Sequence, residues 1–344
     1  MVKTAIVILN WNGRKHLEEF LPSVVSHSQN CDIIVVDNHS SDDSVEFLEQ
    51  KYPEIELIHN TSNGGFAKGY NDGLKQIKTK YEYFVLLNSD VEVTENWTEP
   101  IISMLDSDKT ISACQPKVLA YKSKENFEHA GASGGFMDIN GYPFCRGRIF
   151  SYVEKDENQY DTPKEIFWAT GACMFVRSEA FFNLGGFDED YFAHMEEIDL
   201  CWRIKLKGLK IMVHPQSIVY HLGGGTLNYM SPRKVFLNFR NSLYTLYKNY
   251  TGNLLFLKIM WRMTLDYIAF LKFLAQGDFK ASVQVFKAQF DFIKNLPKMR
   301  KKRRNLHLDS SNFNAIGVYK KSIVFSAYIQ KKTKFSDLDK NDFY

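Results

Sequence analysis

Over the first 120 residues, short apolar runs alternate with longer amphipathic ones. TAIVILN (4–10), CDIIVVDN (31–38), IELIHN (55–60) and YFVLLNSD (83–90) have the composition of strands buried on both faces. Between them, GRKHLEEFLPSVVSH places Leu17, Phe20, Leu21 and Val24 at helical spacing, and SDDSVEFLEQKY and AKGYNDGLKQIK are further helices. This alternation predicts right-handed crossovers and a mostly parallel sheet flanked by helices, with ligands bound outside the carboxyl ends of the strands.

From 120 the pattern loosens. HAGASGGFMDINGYP is loop-like, and FWATGACMFVRSEAF suggests a strand leading into a helix. EEIDLCWRIKLKG is a helix closed by Gly208, and LKIMVHPQSIVYHLGGG gives two short strands and a glycine-rich stop. Beyond about 232 only long helical patterns remain, ending in a basic run and a polar tail. The expected division is 1–235 and 236–344.

Composition narrows the classes. The net charge of +3 is too small to imply a polyanionic partner, and no base-reading module is visible, so nucleic acid is not expected. Cys31, Cys114, Cys145, Cys173 and Cys201 are scattered and contain no C-x-x-C, which fits a reducing compartment rather than a disulfide framework or zinc site. The N-terminus enters a strand directly without a signal-peptide pattern, so a cytoplasmic protein is expected.

Four polar marks end the four early strands: Asn10-Trp11-Asn12, Asp37-Asn38, Asn60 with Asn63-Gly64-Gly65, and Asn88-Ser89-Asp90. Asn and Asp are ordinary turn formers. On parallel strands, however, all four project into one crevice. Neither a P-loop nor a G-x-G-x-x-G follows the first strand, so P-loop and dehydrogenase chemistry are unsupported. Asp90 is an oxygen ligand suited to Mg²⁺ or Mn²⁺, whose shell the phosphates of a diphosphate can complete. Glu196, Asp199 and Arg203 share one helix face, with Glu197 turned about 100° from Glu196. Either a dipole-and-ion-pair arrangement or a general base is compatible with that spacing. His221, before Gly223–Gly225, is a core residue or a metal ligand.

Taken in order, VILNWNG, IIVVDNHSSDDS, NTSNGGFAKGYNDG, VLLNSDVEV, TGACMFVRSEAF, GGFDEDYFAHMEEIDLCWR and VYHLGGGT resemble family 2 glycosyltransferases of GT-A fold, rhamnosyltransferase-like bacterial members above all. The resemblance spans roughly residues 3–225. It implies a Rossmann-like sheet and inverting transfer of a sugar from a dTDP-, UDP- or GDP-linked donor to a glycan or lipid-linked glycan acceptor, in surface polysaccharide synthesis. It also implies a nucleotide pocket of Leu9, Asn10, Asn12, Asp37, Asn63, Phe66, Asn88 and Ser89, with Asp37 on the base. Asp90 and His221 would hold the metal. Glu197 would be the catalytic base, with Glu196 and Asp199 toward the acceptor. Two positions depart from the pattern: Asn88 replaces the first carboxylate of D-x-D, and Glu196-Glu197 replaces an E-D pair, leaving Glu196 as a rival base. A non-catalytic scaffold and a sugar nucleotidylyltransferase are the alternatives; the second fits LNWNGRKH poorly.

In LLFLKIMWRMTLDYIAFLKFLA, Lys258, Arg262, Asp266 and Lys272 project onto a stripe about 120° wide on an otherwise apolar helix. Four charges argue against a span, which needs about 20 nearly uncharged residues. The segment is expected in a membrane interface or against protein. PKMRKKRR (297–304) adds an attachment signal for anionic lipid, so 254–304 suggests peripheral association with the inner face of the cell membrane.

Overall fold

The computed structural model describes residues 2–223, 231–306 and 311–344. Gly224 and Gly225 of the glycine-rich stop lie outside the described residues. The four early strands form as expected: β1 (Thr4–Asn10), β2 (Asp32–Asp37), β3 (Glu56–His59) and β4 (Tyr83–Asn88), parallel in the order β3-β2-β1-β4. Helices α1 (Arg14–His27), α2 (Ser44–Lys51) and α3 (Gly65–Gln76) connect them. Alternate residues explain why these strands lack polar positions. Ile6 and Ile8 pack with Leu17, Leu21 and Phe47 on one face, whereas Ala5 and Val7 pack with Ala67, Tyr70 and Leu74 on the other.

Past β4 the sheet becomes mixed. A short β5 (Val91–Val93) and α4 (Glu99–Ser107) lead to β6 (Ile111–Ala120), which is joined at one end by β7 (Ser123–Phe127). A five-stranded second sheet contains β8 (Gly135–Asp138), β9 (Pro143–Cys145), β10 (Arg148–Ile149) and β11 (Tyr152–Val153). The chain then returns through β12 (Lys164–Glu165) to β13 (Cys173–Arg177), antiparallel between β4 and β6. Helices α5 (Ser178–Asn183) and α6 (Glu196–Leu206) precede β14 (Lys210–His221), parallel to β6. The two short strands expected over 209–221 are one strand, whose register with β6 shifts between His214 and Ile218. Pro215 has no N–H for the ladder, so the sequence shows a break where the structure has a bulge.

Two further expectations change. The segment 129–143 is not a plain loop, because β8 lies within it. Gly135 is there for a close approach: a Cβ on it would meet the Trp168 ring at 2.1 Å. Nor is the C-terminal tail merely polar. After α7 (Pro232–Asn249), α8 (Leu255–Ala275), α9 (Phe279–Lys294) and α10 (Leu296–Asn305), β15 (Val318–Tyr319) pairs with β8. A last helix, α11 (Ile323–Tyr328), follows, and Phe335 and Phe343 then close over Phe136 at 4.7 and 5.6 Å between ring centroids.

Candidate active site

The parallel register aligns the polar strand ends. Asn10 pairs with Asp37 across β1 and β2, and Leu9 with Asn88 across β1 and β4. Asn10 Nδ2 donates to Asp37 Oδ1 (3.1 Å) and Ser40 Oγ (3.1 Å), while the Ser40 amide donates to Asp37 Oδ2 (3.0 Å). Asn12, at φ 50°, accepts from the Ser41 amide at 2.7 Å. These bonds tie the loops after β1 and β2 into one rim beside Ser89, whose Oγ would lie 3.6 Å from a Cβ on Gly13. Asn38 and Asn60 do structural work below: Asn38 Nδ2 donates to Asn63 Oδ1 (3.0 Å), and Asn60 Nδ2 to Asn38 Oδ1 (3.1 Å).

Asn63 also accepts from the Gly65 amide (2.9 Å), shaping the turn into α3. Gly65 has φ +83°, and a Cβ there would meet the Phe192 carbonyl at 2.5 Å. Only glycine lets the Asn63–Phe66 turn touch the loop before α6. Two marks 127 positions apart in the chain are joined in this way. Phe66 stacks edge-on against Tyr70 (4.8 Å) and points at Gly171. A methyl group on Gly171 would lie 3.5 Å from Phe66 Cζ and 3.7 Å from Glu197 Cγ.

The two glutamates differ by their turn around α6. Glu196 is only 4% exposed, and one of its oxygens has no partner. Burial, with Glu197 and Asp199 adding to it, pushes its carboxyl well above the ordinary value. Glu197 is half-buried, also with an unpartnered oxygen, and burial raises it to about 7. Backbone N–H groups at the start of α6 offset part of that burial, and a carboxyl that keeps one oxygen free is costly to ionise in a wall but able to accept a proton.

Asp199 departs from expectation. It is fully buried, and its oxygens take Arg203 (3.0 Å), Asn249 (2.8 Å) and Lys248 (2.9 Å). Burial would raise its carboxyl, but Lys248 and Arg203 hold it well below the usual range. No oxygen is left for an acceptor; Asp199 anchors α6 to α7. The i,i+4 pair with Arg203 is therefore the better account of that spacing.

At the other side, Asp90 and His221 converge, with Asp90 Oδ1 3.2 Å from His221 Nε2. Asn88 Nδ2 lies 3.5 Å from the same nitrogen. Beyond it, His221 Nδ1 faces Glu128 Oε2 at 3.4 Å, and all three titratable groups are buried. Burial would raise Asp90, but its bond to His221 keeps it below the ordinary carboxylate value. Burial would lower His221, whereas the carboxylates on either side raise it to about 10. An anionic oxygen and an imidazole nitrogen at one point fit a divalent cation that displaces the His221 proton from Nε2, with Glu128 orienting the ring as such carboxylates do. Among the described residues no group of three His, Cys, Asp or Glu side chains is placed to hold a metal. A cation held by Asp90 and His221 therefore needs oxygens from a ligand or water.

Two contributors were not found in the sequence. Glu128 carries no signal, since its relation to His221 exists only across β6. Asn241 on α7 does leave a trace: Asn241, Thr245 and Lys248 are polar residues on an otherwise apolar helix face, and all are buried. Asn241 Nδ2 donates to the carbonyls of Tyr191 (3.0 Å), Ala193 (2.9 Å) and His194 (2.7 Å). It thereby holds a loop in which Phe192, His194 and Met195 have φ of 65°, 70° and 73°, immediately before Glu196.

The family is decided by a match along the chain: the model for glycosyl transferase family 2 covers residues 5–185. The chain belongs to that family. It is 24% identical over 237 residues to the N-acetylglucosaminyl-diphospho-decaprenol L-rhamnosyltransferase of Mycobacterium tuberculosis, over 64% of this chain and 76% of that one. It is 25% identical over 230 residues to the rhamnosyltransferase WbbL of Escherichia coli K12, over 63% and 82%. Its fold is similar to that of a Pyrobaculum calidifontis mannosyltransferase in complex with GDP-Man and Mn²⁺. The TM-score is 0.52 at 13% identity, over 90% of this chain and 86% of that one. This glycosyltransferase thus has the expected GT-A fold and is rhamnosyltransferase-like. Among the described residues no helix is long and apolar enough to cross a membrane.

For this glycosyltransferase, Asn241→Ala is expected to lower the transfer rate with donor affinity unchanged, and to destabilise the fold by about 1–3 kcal/mol as the loop carbonyls lose their donor. Kinetics, donor titration and urea unfolding on one preparation check all three.

Proposed function

We propose that this protein is an inverting glycosyltransferase that moves a hexosyl or deoxyhexosyl group from a nucleotide sugar to a hydroxyl of a lipid-linked glycan. The observation that carries this reading is Glu197: a half-buried carboxyl with one unpartnered oxygen, raised toward neutrality, and set beside Gly171, which Phe66 also approaches. Asp37 and the Asn10–Asn12 rim take the base and ribose side of the donor, and the Asn63–Phe66 turn lines the pocket with Leu9, Asn88 and Ser89. Asp90 and His221 would hold Mg²⁺ or Mn²⁺, which when bound would neutralise charge on the departing diphosphate. Glu197 removes the acceptor hydroxyl's proton as that oxygen attacks the anomeric carbon. The bond from that carbon to the diphosphate oxygen breaks on the opposite face, and the nucleoside diphosphate leaves. A single carboxylate and in-line displacement give inversion.

The names of the two rhamnosyltransferase relatives support a deoxyhexose donor, and the decaprenyl diphosphate in one of them supports a lipid carrier for the acceptor and a role in surface polysaccharide synthesis. Residues 1–235 are the catalytic domain in this reading, and 236–344 a helical extension that completes it through Asn241 and Lys248. The enzyme works at the cytoplasmic side of the membrane that carries the acceptor.

Donor binding and hydrolysis across dTDP-, UDP- and GDP-sugars, with Mg²⁺, Mn²⁺ or chelator, test it. One donor is expected to bind and turn over, with chelator suppressing both. Asp90→Ala is expected to weaken binding of the free nucleoside diphosphate by about tenfold or more, as loss of one charge-assisted contact implies. Failure of every donor to bind sinks the reading.

A further inference from the structure

Helix α8 is inside out. Apart from Lys272 at its end, its charged stripe does not face solvent: Arg262 and Asp266 are buried, Arg262 donating to Asp266 Oδ1 (3.0 Å), the Gly141 carbonyl (2.9 Å) and Ser242 Oγ (3.0 Å). Tyr142 donates to Asp266 (3.1 Å), and Lys258 to the Ile139 carbonyl (2.9 Å). The polar stripe is thus the docking face of α8 on the body of the enzyme, and its aromatic and aliphatic side is turned outward. Phe256 is 74% exposed, Trp261 52% and Ile268 57%. At 100° per residue, these and the other exposed apolar positions of α8 form a face about 140° wide. Helix α9 continues it, with Phe279 66% and Phe290 71% exposed, and Phe286 packs on Phe270 of α8 at 4.4 Å.

The exposed charges on these two helices have one sign. Lys272, Lys280, Lys287 and Lys294 are exposed; the last three recur every seven residues, along one line beside the apolar face of α9. The acidic residues are all engaged: Asp266 is buried with Arg262, Asp278 caps α9, and Asp291 accepts from Tyr244 (3.0 Å). Two copies meeting on this face bring lysines against lysines. An anionic bilayer offers hydrocarbon to the apolar side and phosphate to the lysines, with Trp261 and Tyr267 suited to the headgroup boundary. The basic run of α10, by contrast, is partly spent on the protein. Lys298 and Lys302 pair with Asp190, Lys302 also with Asp188, and Arg303 caps the end of α7.

We propose that the outward face of the α8–α9 hairpin lies in an anionic membrane interface, with the apolar side chains inserted and Lys280, Lys287 and Lys294 against lipid phosphates. This deepens the lipid-linked acceptor reading, on which it rests only for its purpose. Because α7 both holds the loop before Glu197 and packs against α8 and α9, the docked face and the base share one rigid support.

The test is co-sedimentation of the full chain, without donor or acceptor, with vesicles of phosphatidylcholine alone or mixed with phosphatidylglycerol. Binding is expected to the anionic vesicles and to weaken as salt rises. Reversing Lys280, Lys287 and Lys294 to Glu is expected to lower it by on the order of 100-fold. Trp261→Glu with Phe290→Glu is expected to abolish it, with the urea midpoint and donor hydrolysis of both variants unchanged. A wild-type chain that stays in the supernatant with both vesicle types overturns the proposal. So does a wild-type dimer in sedimentation velocity that Trp261→Glu dissociates. Vesicle binding by a chain that turns over no donor leaves this proposal standing and removes the transfer reading instead.

Discussion

Glu197→Gln lowers the rate of sugar transfer by about 10²–10⁴-fold, the range for loss of a positioned general base, while donor affinity is unchanged. The amide keeps the size of the side chain beside Gly171 and cannot accept the hydroxyl proton. Wild-type transfer is expected to rise with pH through about 7, where Glu197 ionises, and the variant to lack that limb. Glu196→Gln is expected to cost far less, because Glu196 is almost wholly buried and burial favours its protonated form, which is no base.

The same substitution has an opposite effect on folding. The carboxyl of Glu197 binds its proton more tightly folded than unfolded, so its contribution is neutral below about pH 4.5 and turns unfavourable as pH rises toward about 7. Glu197→Gln should therefore be more stable than the parent at pH 8, by on the order of 1–3 kcal/mol, and equal to it at pH 4. Urea midpoints at the two pH values decide it. A parent at least as stable as the variant at pH 8 would mean that the carboxylate has found a partner, and the argument for the base fails.

Lys248→Met is expected to destabilise the protein by about 3 kcal/mol, the lower end of the range for breaking a buried ion pair from one side. The Lys248 ammonium is 3% exposed and bridges Asp188 and Asp199, so its removal strips a cation from two buried carboxylates at once. Each keeps one cationic partner, Lys302 for Asp188 and Arg203 for Asp199, and Asp199 keeps Asn249 as well, which places the effect low in that range. Lys298→Met is the control. Its ammonium is 54% exposed in its pair with Asp190, and the expected cost is about 0–1 kcal/mol. Denaturant unfolding separates the two. Equal midpoints would mean that the Lys248 ion pairs add nothing to the junction of α7 and α6.

The parallel half of the fold and the line of polar strand ends were legible in the sequence because both are local. A strand buried on two faces must be apolar throughout, and a parallel register brings successive strand ends to one edge, so Asn10, Asp37 and Asn88 follow from spacing alone. The Asn63–Phe66 turn was legible through its glycines, although the reason for Gly65, the carbonyl of Phe192, lies 127 positions away. Asp90 and His221 were each visible as strand-end residues. That they meet depends on β14 running beside β6 and pairing with β5.

By itself, then, the sequence determined the elements whose burial pattern repeats with their own period, and the residue types available at their ends. Tertiary structure decided which way ambiguous surfaces face. A helix with one polar stripe satisfies the same periodicity whether that stripe meets water or protein. Only the carbonyl of Gly141, the hydroxyl of Ser242 and the phenol of Tyr142 turn Arg262 and Asp266 inward, leaving the aromatic side of α8 exposed. Likewise, Glu196 and Glu197 are the same side chain one position apart. The 100° between them, on a helix that Asp199 locks onto α7, buries one and leaves the other half-buried beside Gly171.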